Sequence, residues 1–111
     1  MKRQNGAGSI SYAVWVPLLL AVVCLPLTLE MIGPNSFYGV RTTATLESTE
    51  TWYRSNFYAG LAGVLGGLIG ALLNIGIVRS SHIPSRSKRW LTLGIILAVA
   101  AAIVVTGLIS I

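Results

Sequence analysis

Three apolar stretches fill most of this chain, roughly residues 10–32, 57–78 and 90–110, each 21 to 23 residues long. An α-helix rises about 1.5 Å per residue, so each stretch reaches across a hydrocarbon core of about 30 Å. No Asp, Lys or Arg falls inside any of them, and Glu30, near the end of the first, is their sole acid. In lipid every backbone polar group must be satisfied within the structure, and helices of this length do so within each segment. The pattern predicts an all-α fold: an integral membrane three-helix bundle with a polar loop between helices 1 and 2. Residues 1–9 read as a polar N-terminal tail and residues 10–111 as one transmembrane domain.

Composition decides which solvent surrounds that bundle. Only 10% of the residues are charged and 54% are hydrophobic, against about 25% charged in a soluble domain, so a surface facing water cannot be covered. The net charge of +5 could suggest nucleic acid, but the distribution argues against it. Lys2, Arg3, Arg41, Arg54, Arg79, Arg86, Lys88 and Arg89 all lie at ends or in connections, where they set topology and meet anionic headgroups. The expected environment is the lipid bilayer, with no nucleic-acid partner. With the N-terminus inside, six basic residues fall on the inner side, and Arg41 and Arg54 fall outside. The charge count therefore predicts a cytoplasmic N-terminus, an external C-terminus and an outward-facing 33–56 loop.

Chemistry is sparse. Cys24 is the single cysteine, which excludes an internal disulfide and a four-cysteine zinc site. His82 has no second histidine to share a metal with. No nucleophile elbow, zincin motif, phosphate loop or paired-acid arrangement occurs, so neither an enzyme nor a cofactor or metal is expected. Lys2 and Arg3 before an apolar run superficially resemble a signal peptide, but no small-x-small site follows. The first stretch is read as a retained helix.

Pro17 and Pro26 should kink that helix, and Gly33-Pro34-Asn35 should end it. Residues 34–39 read as a turn, while Thr43–Leu46 stay unassigned. Ser48 makes a good N-cap and Glu50 suits the first turn. Trp52, Asn56 and Gly60 then recur every four residues, which predicts one helix continuous with the second span. Within it Gly60, Gly63, Gly67, Gly70 and Asn74 share a face. Gly63/Gly67 and Gly66/Gly70 are both small-xxx-small pairs, marking a packing seam either within the chain or between copies in a homo-oligomer. Asn74 on that face calls for an interhelical hydrogen bond. A connection over Arg79–Arg89 leads to the last helix.

Most of the polar variety lies in residues 33–56, which hold Pro34, Asn35, Gly39, Arg41, Thr42, Thr45, Ser48, Glu50, Trp52 and Asn56. One reading is a loop folded over the bundle, with Arg41 on backbone carbonyls and Trp52 as an anchor at the headgroup level. The other is a recognition surface for a peptide, a lipid headgroup or a partner protein. The ordered string Pro34-Asn35-Ser36-Phe37-Tyr38-Gly39-Val40-Arg41-Thr42, then Thr45-Leu46-Glu47-Ser48, Glu50-Thr51-Trp52, Asn56 and Ala59-Gly60 resembles the SdpI family of small bacterial membrane proteins. That resemblance implies a three-span module in the bacterial plasma membrane. The family's founding member gives immunity to a secreted peptide toxin and senses it by sequestering a transcriptional repressor at the membrane. It looks longer than this chain, with extra N-terminal spans.

The resulting expectation is a non-enzymatic immunity or signalling protein that meets a membrane-active peptide through Pro34, Asn35, Gly39, Arg41, Thr42, Thr45, Ser48, Glu50, Trp52, Asn56 and Gly60. Gly63, Gly67, Gly70 and Asn74 would pack the helices. A small accessory subunit of a larger membrane complex is the alternative. A transporter or channel subunit ranks below both, because three spans with almost no internal charge make a poor path.

Overall fold

The computed structural model describes residues 11–35 and 37–111, which form four helices in the order α1 (Tyr12–Thr28), α2 (Thr43–Glu47), α3 (Thr49–Arg79) and α4 (Ser85–Ile109). No strand occurs among the described residues, and the tail expected over 1–9 lies outside them. α3 and α4, of 31 and 25 residues, are long and apolar enough to cross a membrane; α1 is apolar too but shorter, at 17 residues. The three long helices make a slender body of 54 × 20 × 18 Å. α1 and α4 both pack along α3 and scarcely touch each other.

The interior and exterior are reversed relative to a water-soluble fold. Ala13, Ala21, Cys24, Ala59 and Ala71 are buried together with Thr45, Ser55, Asn56, Asn74 and Thr92, whereas Leu19, Leu72, Leu97 and Ile109 are 60% exposed or more. Small and hydrogen-bonded residues belong between membrane helices, and large aliphatic ones on a surface that lipid solvates. Water would penalise so much exposed apolar area.

The predicted glycine face is the seam, and α3 uses it toward two neighbours. A Cβ on Gly60 would sit 2.6 Å from the Thr28 nitrogen and 2.8 Å from the Cys24 carbonyl oxygen of α1. One on Gly67 would collide with the Pro17 carbonyl oxygen and lie 2.9 Å from Ala21 N, and one on Gly63 would lie 2.7 Å from Cys24 Cβ. Gly66 and Gly70 turn toward α4 instead, where a Cβ would meet Val99 at 3.3 and 3.2 Å. The two small-xxx-small pairs thus serve two partners within one chain.

Asn74 makes the bond its position demands, for a reason that lies on another helix. Pro17 has no N–H, so the Ala13 carbonyl four residues earlier has no helical partner from it. The buried Asn74 Nδ2 donates to that carbonyl at 2.6 Å and reaches the Thr92 carbonyl at 3.4 Å. Its Oδ1 has no partner among the described residues.

Two boundaries differ from the sequence reading. α1 stops at Thr28, short of Gly33-Pro34. Met31 N donates to the Pro26 carbonyl at 2.9 Å and Glu30 N to Leu27 at 3.2 Å, the paired bonds of a Schellman end. Glu30 takes the left-handed position, with φ 58°, that glycine usually fills. The connection expected over 79–89 shrinks to residues 80–84, because α3 keeps Arg79 in its last turn and α4 begins at Ser85. Lys88 stabilises the junction by donating from Nζ to the Val78 carbonyl at 2.8 Å, supplying a partner at the α3 C-terminus. The unassigned Thr43–Leu46 segment is helical, as α2.

Candidate functional site

The 33–42 segment owes its shape to side chains that replace regular backbone bonding. Asn35 Oδ1 accepts from the Phe37 and Tyr38 nitrogens, both at 2.8 Å, and its Nδ2 donates to the Gly33 carbonyl at 2.8 Å. An asparagine that bonds its own following backbone builds a turn. Gly39 follows with φ 102°, a conformation other residues rarely adopt, and a Cβ there would come within 2.6 Å of Asn56 Oδ1. Asn56, fully buried on α3, clasps the backbone of Val40. Its Oδ1 accepts from Val40 N at 2.5 Å, and its Nδ2 donates to the Trp52 carbonyl at 3.0 Å and reaches Val40 O at 3.4 Å.

Trp52 does not present its ring to the surroundings as a residue of an aromatic belt would. Its ring is 0% exposed and its Nε1 donates to the Ile32 carbonyl at 2.8 Å. A buried indole must find an acceptor, and this one fastens the segment after α1 to the start of α3. Thr42 and Thr45 form a reciprocal cap for α2, with Thr45 N donating to Thr42 Oγ1 at 3.1 Å and Thr42 N to Thr45 Oγ1 at 2.7 Å. Ser48 caps α3 by accepting from Thr51 N at 3.2 Å, and Glu50 lies in that first turn. Pro34, Arg41 and Glu50 are exposed.

α4 is drawn into the same end of the molecule by residues to which the sequence reading gives no such role. Ser55 Oγ donates to the Gly107 carbonyl at 2.6 Å, and Arg54 donates to the Ser110 and Ile111 carbonyls at 2.8 and 2.6 Å. Val40 reaches so close to Gly107 that a Cβ there would lie 2.6 Å from Val40 Cγ2. Ser55 neighbours Asn56 at the polar start of α3, and Gly107 is a small residue in an aliphatic run. Nothing local pairs them across 52 positions.

Under this fixed loop lies a groove of about 380 Å³. Val23 and Leu27 of α1 and Val104 and Leu108 of α4 form its walls, Ala59 of α3 contributes to its lining, and Tyr38, Arg41 and Thr42 also border it. The Tyr38 hydroxyl donates to the Val23 carbonyl, tying the rim to α1. Partial burial pushes the Tyr38 phenol above its usual range, with Cys24 a smaller contribution. The groove therefore joins an aliphatic trough to a rim carrying a guanidinium, a hydroxyl and a phenol.

A family model described as the SdpI/YfhL protein family matches residues 31–110. The chain belongs to that family. The match takes in the loop, α2, α3 and all of α4, while α1 lies before it. No curated protein and no solved structure matches. Of the residues singled out in this SdpI/YfhL segment, Asn35, Gly39, Thr42, Thr45, Ser48, Trp52, Asn56 and Gly60 hold the fold together. Gly39 and Thr42 also border the groove, as does Arg41.

Proposed function

We propose that this SdpI/YfhL protein spans the bacterial plasma membrane three times and, without enzymatic chemistry, protects against or senses a membrane-active peptide at the groove beneath the 33–42 loop. The observation that supports this most is the placement of Arg41 and Thr42 beside an aliphatic trough whose walls belong to two helices that scarcely touch. An amphipathic peptide needs both parts: apolar walls for its body and polar groups for its backbone or charge. The loop presenting them is held from beneath by Asn56 and Trp52, so little ordering remains to oppose binding.

The test is survival of bacteria producing the chain when challenged with the secreted peptide toxin to which the family's founding member gives immunity. Arg41→Ala alters the rim, and Val104→Trp fills the trough from a position that is 54% exposed. Both should lose protection while the protein remains in the membrane at wild-type amount. Unchanged protection in both variants rejects the proposal. For orientation, Leu46→Cys in a Cys24→Ser background should react with an impermeant maleimide on whole cells, since Leu46 is half exposed in the loop. Labelling only after lysis would put the loop inside.

A further inference from the structure

The charges are segregated along the molecule. All three acids, Glu30, Glu47 and Glu50, lie at the loop end, together with Arg41 and Arg54. The opposite end, around the junction of α3 and α4, carries Arg79, His82, Arg86, Lys88 and Arg89 and no acid among the described residues. Lys88 is committed to the Val78 carbonyl, whereas Arg86 and Arg89 are exposed on the first turns of α4. Trp90 follows directly and is 69% exposed.

Helical spacing arranges these residues by depth. Arg86 and Trp90 are four apart and so share a face, which continues to Leu97, 68% exposed. From the end of the helix inward the stripe reads guanidinium, indole, aliphatic chain. That order matches the layers of a lipid leaflet: phosphate, interface, hydrocarbon. Arg89, three residues from Arg86, flanks the top of the stripe.

We infer that this face of α4 binds an anionic glycerophospholipid, with its phosphate at Arg86 and Arg89, its glycerol region against Trp90 and an acyl chain along Leu97. A basic end without acids raises the local concentration of anionic lipid. Guanidinium groups pair with phosphate through directed hydrogen bonds as well as charge. The site lies at the end of the molecule away from the 33–42 loop, so it does not depend on what the groove recognises.

The experiment uses the full chain in nanodiscs of phosphatidylcholine with or without phosphatidylglycerol, and native mass spectrometry to count lipids retained on release. The wild type should keep phosphatidylglycerol in preference to phosphatidylcholine. The Arg86→Gln/Arg89→Gln variant should lose that preference by about tenfold to thirtyfold, and Arg86→Lys/Arg89→Lys should recover most of it. Equal melting of all three proteins in pure phosphatidylcholine shows that the fold is intact. Equal retention of both lipids by the wild type, or undiminished preference in the glutamine variant, overturns the inference.

Discussion

The two halves of α3 solve the same problem, holding neighbours in place, by opposite means. From Ser48 to Asn56 it uses polar side chains: Trp52 to Ile32, Ser55 to Gly107 and Asn56 to Val40. From Gly60 to Gly70 it uses the lack of side chains, bringing the α1 backbone against its own. The polar half meets an irregular loop and the last turn of α4, whose backbone groups lack regular partners and need others wherever they are buried. The glycine half meets a regular helix whose groups are already bonded, so contact area is what remains to be gained. Polar stitching tolerates irregular shape but not loss of a partner; close packing tolerates polar changes elsewhere but not added volume.

Gly67→Val is the harshest challenge to that contrast. Its Cβ meets backbone on α1, which cannot move aside as a side-chain tip can. We expect a loss of about 3 kcal/mol or more, read as a lowered melting temperature and faster alkylation of Cys24. Asn56→Ala, on the polar side, should cost about 2 kcal/mol by leaving the Val40 N–H without its acceptor. An effect on Asn56→Ala larger than on Gly67→Val would reverse the assignment of the two halves.

Asn74 sharpens the comparison because it makes a polar bond from the glycine face, one turn beyond Gly70. Asn74→Leu should cost about 1 kcal/mol, and less in a Pro17→Ala background, where a restored N–H can bond Ala13. Equal cost in both backgrounds would show that the proline does not create the need. Glu30→Gly is the mildest change and goes the other way. Removing a side chain from a residue at φ 58° should stabilise the fold by about 1 kcal/mol, measurable as a small rise in melting temperature.

What the sequence makes legible follows from how local each cause is. The Ser48 cap, the run of one helix through Trp52 and Asn56, and the inward face of Gly60, Gly63, Gly67, Gly70 and Asn74 all follow from rules spanning a turn or two. The end of α1 defeats the same rules, since a glutamate stands where glycine is expected and Gly33-Pro34 offers a stronger stop signal further on. Trp52 is suited by composition to an interface, and only the Ile32 carbonyl 20 residues away explains its burial. The Pro17–Asn74 and Ser55–Gly107 relations join different helices, and no periodicity encodes which carbonyl a distant side chain will find. The groove is less legible still, because it arises where α1 and α4 fail to meet.

Part of the mating surface that α1 offers to the seam is its own main chain, the Pro17 oxygen, the Ala21 nitrogen, the Cys24 oxygen and the Thr28 nitrogen, set among the small side chains of Ala21 and Cys24. Main-chain atoms are common to every amino acid. Exchange of the outward Leu and Val residues of α1 would leave that fit undisturbed, whereas α3 has little freedom at Gly60 or Gly67.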